Sequence, residues 1–249
     1  MGLLNVFEAV KGHGSTQAVI NVTSDKCYEN QEWHWGYREN DAMGGYDPYS
    51  NSKGCAELIT SAYRRSYFHA LDIPLATARS GNVIGGGDWS TDRILPDIVK
   101  SIQSNQPIVI RNPLATRPWQ HVLDPLTGYL TLAERLSEKN GQEYAEAWNF
   151  GPAANNSRSV QEVAEKTLNL WPSSIELQLV STDNPSHEAQ YLKLDCSKSF
   201  AKLNWHPFWE IDESLLHTVN WYKSYVNNES VLQTTLDQIE VYKVNASIF

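Results

Sequence analysis

The sequence predicts an α/β fold with a largely parallel sheet. Segments with the apolar spacing of helices alternate along the chain with short apolar segments typical of strands. The 249 residues are 41% hydrophobic and 11% aromatic, which is enough to form a sizeable core. No internal repeat or low-complexity segment interrupts the alternation.

The first predicted element is a helix over residues 1–11. Its apolar face is formed by Leu3, Leu4, Phe7 and Val10, and glycines at 12 and 14 end it. A buried strand is predicted over 18–22. An irregular loop rich in Trp, Gly, Asn and Asp follows over 27–48. Pro48 suits the first turn of a helix that runs to about residue 70.

The rest of the chain repeats the pattern of strand and helix. Strands are predicted at 73–78, 108–110, 147–150 and 175–180, and helices at 95–104, 125–137 and 160–170. A short extended piece at 191–194 precedes an amphipathic helix that includes residues 211–222. No role is predicted for the last twenty residues.

Charge and composition exclude several classes of protein. The 20 basic and 29 acidic side chains give a net charge of −9, which argues against binding to nucleic acid. No apolar run approaches the ~20 residues of a membrane helix. Glu8 interrupts the start, so no signal peptide is predicted and a cytoplasmic location is expected. The three cysteines lack metal-site spacing; we expect buried free thiols and no metal.

Tyr49 and Lys53 form the first candidate catalytic pair. They stand four residues apart on the helix that Pro48 opens, and therefore share one face. A lysine cation there would lower the pKa of the tyrosine from its usual ~10, because a positive charge favours the phenolate. Tyr49 is then a candidate general base for a sugar or alcohol hydroxyl; the alternative is a solvated helix pair.

A second group of polar residues follows the strand at 18–22. Thr23, Ser24, Asp25 and Lys26 come where parallel sheets place their ligands, at the carboxyl ends of strands. Ser24 is a candidate hydrogen-bond donor to a substrate oxygen. Asp25 is a candidate general acid if burial raises its pKa. The alternative is an ordinary Ser/Asp turn.

These motifs together resemble the extended short-chain dehydrogenase/reductases. Within that superfamily the sequence resembles the nucleotide-sugar 4,6-dehydratases, and in particular their CDP-glucose branch, from residue 1 to about 225. The motifs that carry the resemblance are Thr-Ser-Asp-Lys at 23–26, Asp-Pro-Tyr-Ser-Asn-Ser-Lys at 47–53, Ala-Arg-Ser-Gly-Asn-Val-Ile-Gly at 78–85, Arg-Pro-Trp-Gln-His-Val-Leu-Asp at 117–124 and Leu-Asn-Trp-His-Pro at 203–207. The related dTDP-glucose enzymes carry Thr-Asp-Glu where this sequence has Ser24-Asp25-Lys26.

The resemblance implies a Rossmann-like doubly wound parallel sheet with a smaller mixed α/β substrate-binding region. Residues 1–80 would be the remaining part of the NAD-binding domain. Residues 81–225 would be mainly the nucleotide-sugar-binding region, with returns to the sheet, and 226–249 a C-terminal tail. The family also implies a homodimer built on the helices at 1–11 and 49–69.

The resemblance also implies a reaction in which NAD is reduced and reoxidised within one turnover. Tyr49 would take the proton of the glucose 4-hydroxyl, Ser24 would polarise that oxygen, and Lys53 would hold Tyr49 and the nicotinamide ribose. Asp25 would protonate the departing 6-hydroxyl, leaving CDP-4-dehydro-6-deoxyglucose. In the family this product feeds the deoxysugars of bacterial surface polysaccharide.

Lys26 is the candidate base at C5, or a residue that positions the base. An amine removes a proton only when it is neutral, so its pKa would have to fall from its usual ~10.4 through burial or a neighbouring cation. Thr23 and Ser80 are further candidate contacts of the cofactor.

Five residues are candidate substrate contacts. Asn82 and Arg117 match the family's contacts to the diphosphate, for which a guanidinium fork is suited. Arg93, Arg111 and His187 are candidate contacts on the nucleotide side.

One expected motif is missing from the sequence. The family carries a glycine-rich turn after its first strand, which binds the NAD pyrophosphate, and no G-x-x-G-x-x-G is present here. We therefore expect an N-terminally truncated chain that binds NAD poorly by itself. Two alternatives remain: a catalytically silent nucleotide-sugar-binding or dimerisation module, and a sister epimerase or decarboxylase, which Asp25 with Lys26 disfavours.

Overall fold

The computed structural model of the chain describes residues 1–153, 156–180 and 191–246. The helices are α1 (Gly2–His13), α2 (Pro48–Tyr63), α3 (Ile94–Ser104), α4 (Leu123–Leu136), α5 (Val160–Leu170), α6 (Ser197–Leu203), α7 (Ile211–Val226) and α8 (Val231–Ala246). The strands are β1 (Val19–Val22), β2 (Leu75–Ser80), β3 (Val83–Ile84), β4 (Ile108–Ile110), β5 (Thr116–Pro118), β6 (Gln120–His121), β7 (Ala147–Phe150), β8 (Ser157–Ser159) and β9 (Leu177–Leu179).

The central sheet contains β1, β2 and β7 in that order, and all three strands are parallel. β2 is the middle strand and is buried along almost its whole length. It lies two residues later than the predicted strand at 73–78, whereas β4, β7 and α5 match their predicted limits. The predicted parallel α/β architecture is confirmed.

The chain divides into two compact units. The first comprises Met1–Gly81, Pro125–Gly151 and Leu192–His206, and contains the central sheet. The second comprises Asn82–Asp124, Pro152–Tyr191 and Pro207–Phe249. The chain therefore passes repeatedly between the units, and each has its own core.

Helices cover both faces of the central sheet in the first unit. On one face, Ala76 and Ala78 of β2 pack in a cluster with Leu132 of α4 and Leu203 of α6. On the other, Leu75 packs with residues of α1 and α2. Because side chains alternate along a strand, Thr77 and Arg79 share the α2 face with Leu75. This alternation points two polar side chains of β2 toward α2.

The second unit has a core of α3, α5 and α7 against short strands. Ile98, Ile108, Val163 and Leu215 are among its buried residues. Its strand pairs are β3 with β6 and β4 with β9, both parallel, and β5 with β8, antiparallel. None of the helices in the described ranges combines the length and hydropathy needed to cross a membrane.

Helix α8 occupies most of the segment that the sequence assigns to a C-terminal tail. The Trp221 indole of α7 donates a hydrogen bond to Thr235 at 2.9 Å. The Tyr242 hydroxyl donates to a carboxylate oxygen of Asp124 at 2.6 Å. Both contacts lie within the second unit, so this end of the chain is part of its packing.

Several details differ from the sequence-based expectations. The helix begun at Pro48 continues beyond Tyr63 as a π-helical turn over Arg64–Phe68. The expectation of buried thiols was wrong for Cys55, which lies on the exposed side of α2, whereas Cys27 and Cys196 are buried.

Candidate active site

Three of the candidate catalytic residues follow β1: Ser24 precedes a short 3₁₀ turn over Asp25–Cys27, which contains Asp25 and Lys26. Ser24 caps this turn: its hydroxyl oxygen accepts a hydrogen bond from the backbone N–H of Lys26 at 3.2 Å. The same hydroxyl donates to Asp25 Oδ1 at 3.0 Å. Asp25 is only 2% exposed, while Lys26 is half-buried. Ser24 and Asp25 therefore form one hydrogen-bonded pair at the carboxyl end of a sheet strand.

The N-terminus of α2 presents the second group. Asp47 caps the helix by accepting from the backbone N–H groups of Tyr49 and Ser50, at 2.9 and 3.0 Å. Hydrogen bonds from the side chain and backbone of Ser50 hold the pKa of Asp47 below its usual value. Tyr49 is 55% exposed, and Lys53 Nζ lies 5.7 Å from the centre of its ring. The expected shared face of Tyr49 and Lys53 is present.

Close packing fixes α2 against the turn that carries Ser24. A Cβ atom added at Gly54 would lie 3.3 Å from the carbonyl oxygen of Cys27, tighter than most contacts of this kind. Asn21 of β1 also donates to the Thr60 hydroxyl of α2 at 2.8 Å. The absent side chain at Gly54 thus lets the helix approach the turn directly.

Two candidate cofactor contacts already have protein partners. The Thr23 hydroxyl donates to the carboxylate of Glu57. Ser80, the last residue of β2, is hydrogen-bonded to the Tyr129 hydroxyl of α4 at 2.5 Å. Burial raises the pKa of Tyr129, and the nearby charge of Asp25 raises it further. Tyr129 therefore lies near Asp25, a proximity that the sequence did not indicate.

A buried ion pair beneath the site was also absent from the sequence analysis. Arg79 Nη2 of β2 lies 2.7 Å from Glu57 Oε2 of α2, and both side chains are at most 5% exposed. Glu57 stands four residues after Lys53, the same spacing that separates Tyr49 from Lys53. That spacing is the one signal that would have singled out Glu57.

The candidate substrate residues lie in the second unit, with different environments. Arg117 is 2% exposed and donates to the Thr116 carbonyl at 3.0 Å. Arg93 is exposed, and the exposed Arg111 pairs with Asp92 at 3.4 Å. Asn82 is half-buried, and its carbonyl accepts from the Gln120 backbone at 3.1 Å. His187 lies outside the described residues.

The first unit thus brings together Thr23, Ser24, Asp25 and Lys26 with the helix of Tyr49 and Lys53. An exposed phenol beside an amine can exchange a proton with a hydroxyl, and a buried carboxyl–hydroxyl pair can donate hydrogen bonds or protons. Among the described residues, no group of three or more His, Cys, Asp or Glu side chains could hold a metal ion. The arrangement suits acid–base chemistry on a hydroxylated substrate.

Comparison with known proteins gives a consistent family. The family model described as GDP-mannose 4,6 dehydratase matches residues 1–218. The CDP-glucose 4,6-dehydratase of Salmonella typhimurium is 49% identical over 247 residues, covering 97% of this chain and 68% of that protein.

Solved structures with the same fold come from related enzymes. The dTDP-glucose 4,6-dehydratase of Bacillus anthracis, solved in complex with NAD, gives a TM-score of 0.73 at 22% identity, covering 90% of this chain and 67% of that one. A double mutant of the dTDP-glucose 4,6-dehydratase of Streptomyces venezuelae, solved with NAD bound, gives a TM-score of 0.76 at 20% identity. That match covers 92% of this chain and 66% of the Streptomyces chain. These likenesses confirm the expected Rossmann-like fold. The chain spans about two thirds of the length of each of these proteins.

Proposed function

Because the chain belongs to the GDP-mannose 4,6 dehydratase family, we propose that it is an NAD-dependent dehydratase that converts CDP-glucose to CDP-4-dehydro-6-deoxyglucose. The observation that carries this proposal is the fixed placement of the Ser24–Asp25 pair against the helix that bears Tyr49 and Lys53. The 49% identity to the Salmonella enzyme supports CDP-glucose as the substrate.

The residues present fit the ribose end of a nicotinamide cofactor. Tyr49 and Lys53 lie side by side at the start of α2, where a phenol and an amine can hydrogen-bond ribose hydroxyls. Ser80 lies at the carboxyl end of β2, the edge where such sheets bind dinucleotides. When bound, NAD supplies a hydride acceptor for the sugar C4 and a hydride donor for C6.

Tyr49 acts first on the substrate. Its phenolate takes the proton of the 4-hydroxyl as the C4–H bond breaks, which leaves a ketone at C4. Lys53, whose Nζ lies 5.7 Å from the centre of the Tyr49 ring, holds Tyr49 and the nicotinamide ribose in place. Ser24 donates a hydrogen bond to the same sugar oxygen once its hydroxyl turns from Asp25.

Asp25 and Lys26 act in the elimination that follows. The ketone acidifies the C5 hydrogen, which Lys26 or a base that it positions removes. Asp25 gives a proton to the departing 6-hydroxyl, so that the C6–O bond breaks and water leaves. Asp25 and Lys26 are consecutive residues of the same 3₁₀ turn, which is why we assign both of them to the elimination.

The remaining candidates serve the nucleotide portion of the substrate. Arg117 and Asn82 would bind the diphosphate, for which a buried guanidinium offers charge-assisted hydrogen bonds. Arg93 and Arg111 would contact the nucleotide side from exposed positions. These assignments rest on the family motifs that the residues match.

The test is the formation of a 4-keto-6-deoxy sugar. Purified chain is mixed with CDP-glucose and NAD, and the product is followed by the near-ultraviolet absorbance that such sugars develop in alkali. Product from CDP-glucose that disappears in Tyr49→Phe supports the proposal. Preference for GDP-mannose or dTDP-glucose would overturn the substrate assignment. Absence of product from all three, both from the chain alone and after fusion to the N-terminal βαβ units of a related enzyme, would overturn the activity.

The proposed homodimer forms through α1 and α2. One side of these helices packs inside the unit through Phe7 of α1 and Ile59 of α2, while Val6 and Leu58 are more than half exposed. A second copy seated on these two helices would bury both side chains, and the family that the chain resembles pairs through the same helices. Sedimentation of the native chain as a dimer and of Leu58→Glu as a monomer would support this interface; a monomeric native chain would refute it.

A further inference from the structure

The ion pair of Glu57 and Arg79 is connected to both ends of the candidate catalytic turn. Before the turn, the Thr23 hydroxyl donates to Glu57 Oε1. After it, Arg79 Nη1 donates to the Tyr28 hydroxyl at 2.7 Å. Ser24, Asp25 and Lys26 therefore lie between two hydrogen bonds that end on the same pair of charges.

The pair is also fixed to the sheet and to the neighbouring loop. Glu57 Oε2 accepts from Thr77 of β2 at 2.8 Å as well as from Arg79. The Tyr28 hydroxyl donates in turn to Asn149 of β7 at 2.7 Å. Each member thus has several partners, as a charged group inside a protein requires.

Glu57 remains a carboxylate in this environment. Burial by itself would raise its pKa, but the hydrogen bond and charge of Arg79, together with the hydroxyls of Thr23 and Thr77, hold that pKa below its usual value. A carboxylate only accepts hydrogen bonds, so the directions of all three are fixed. Their common acceptor lies on the helix that carries Tyr49 and Lys53.

We propose that Glu57 is a positioning residue of the dehydratase: through Thr23 it sets the placement of the Ser24–Asp25 pair relative to Tyr49. This inference rests on the function proposed above. Enzymatic rates are sensitive to small displacements of catalytic groups, so a loosened turn lowers the rate of the chemical step more than it weakens substrate binding.

The chain offers a matched pair of variants. Thr23→Val and Thr77→Val each remove one buried hydroxyl that donates to Glu57, and each leaves the Arg79 ion pair in place. Only Thr23 is joined directly to the catalytic turn. Thr23→Ser keeps the donor and loses only a methyl group, so it separates the hydrogen bond from packing.

The first measurement is amide hydrogen exchange of residues 24–28, which needs no activity. The amides of Lys26, Cys27 and Tyr28 are hydrogen-bonded within the turn and should exchange slowly. We expect faster exchange there in Thr23→Val, and native exchange in Thr77→Val and Thr23→Ser. Equal effects of the two valine variants, or native exchange in Thr23→Val, would overturn the proposal.

The second measurement is steady-state kinetics with CDP-glucose. Thr23→Val should lower kcat about tenfold or more with KM nearly unchanged, while Thr77→Val should keep both near native. A loss confined to NAD affinity would instead assign Thr23 to the cofactor and overturn its role through Glu57. If the native chain makes no product even when it is fused to the N-terminal βαβ units of a related enzyme, the proposed function fails. The exchange measurement still decides whether Glu57 holds the turn in place.

Discussion

The catalytic turn in the first unit and the arginines of the second unit are built in different ways. Ser24 and Asp25 are buried, bonded to each other and flanked by bonds to the Glu57–Arg79 pair. Arg93 and Arg111 are exposed, and the partner of Arg111 is an equally exposed Asp92.

The difference follows from what each region has to do. Groups that move protons must be held within a fraction of an ångström of their targets, which a buried network achieves. Long arginine side chains at the surface can adjust to a charged ligand as it arrives. If the proposed function holds, activity should be sensitive to substitution of the residues that support the Ser24–Asp25 pair, and insensitive to substitution at the exposed Arg93 and Arg111.

The largest expected effect tests the role of Tyr49 itself. Tyr49→Phe removes the hydroxyl of an exposed side chain, so kcat should fall by about 10²–10⁴ while the free energy of unfolding stays native. Product formation and urea unfolding measure the two quantities. An active Tyr49→Phe enzyme would show that the base lies elsewhere.

Removing the charge beneath the turn should affect stability most. Glu57→Gln leaves Arg79 buried without its counter-charge, and should lower the free energy of unfolding by about 3–5 kcal/mol. Glu165→Gln on the exposed side of α5 is the control and should change it by less than ~0.5 kcal/mol. Similar losses in both would mean that the ion pair has no special role.

The same carboxylate should make stability depend on pH. Its pKa is lower in the folded chain than the unfolded value of ~4.3, so its stabilisation is complete above that value and is lost as pH falls through the folded pKa. Urea unfolding from pH 6 downward should therefore show a steeper loss in the native chain than in Glu57→Gln. Parallel curves would contradict the lowered pKa.

Among the lysines and arginines that the structure describes in the second unit, Arg117 is the exception because it is buried. If it binds the diphosphate, Arg117→Ala should raise the KM for CDP-glucose about tenfold to a hundredfold. That factor corresponds to the free energy lost with one hydrogen bond to a charged group. Free CDP as an inhibitor provides the check, since its Ki should rise in parallel. An unchanged Ki would remove Arg117 from the diphosphate site.

Arg111 should give the smallest change. Both side chains of its ion pair with Asp92 are about three quarters exposed, and exposed pairs of this kind stabilise by at most about 1 kcal/mol. Arg111→Ala should keep the native unfolding curve and raise KM only a few-fold. A loss of stability as large as that of Glu57→Gln would contradict the claim that the exposed pair stabilises the fold much less than the buried one.

The elements that the sequence predicted most closely depend on local information. Helix α5 begins with the reciprocal Ser159–Glu162 cap, and its apolar spacing continues to its end, so both limits are visible in the sequence. The strands β3 and β6 are only two residues long and exist because Val83 pairs with Gln120 across a distant part of the chain. Local patterns contain no trace of such pairings.

The site was only partly predictable for the same reason. Tyr49, Lys53 and the Ser24–Lys26 turn stand in short recognisable motifs. Glu57 looks like a solvated helix residue, because its partner Arg79 is brought to it by the packing of α2 on β2. Tyr129 was likewise missed, since its contact with Ser80 joins residues from separate strand–helix units.

The bonds to the Glu57–Arg79 pair begin at Thr23 and Tyr28, on either side of the candidate catalytic residues Ser24, Asp25 and Lys26. Neither anchor depends on which side chains stand between them. The side chains at 24–26 can therefore change during evolution while the two flanking hydrogen bonds to the Glu57–Arg79 pair are kept. A change from Thr-Asp-Glu to Ser-Asp-Lys between branches of dehydratases would then alter the side chains of the turn without altering the hydrogen bonds that hold it. An engineered exchange of these three residues, in either direction, would leave the backbone of the turn in place.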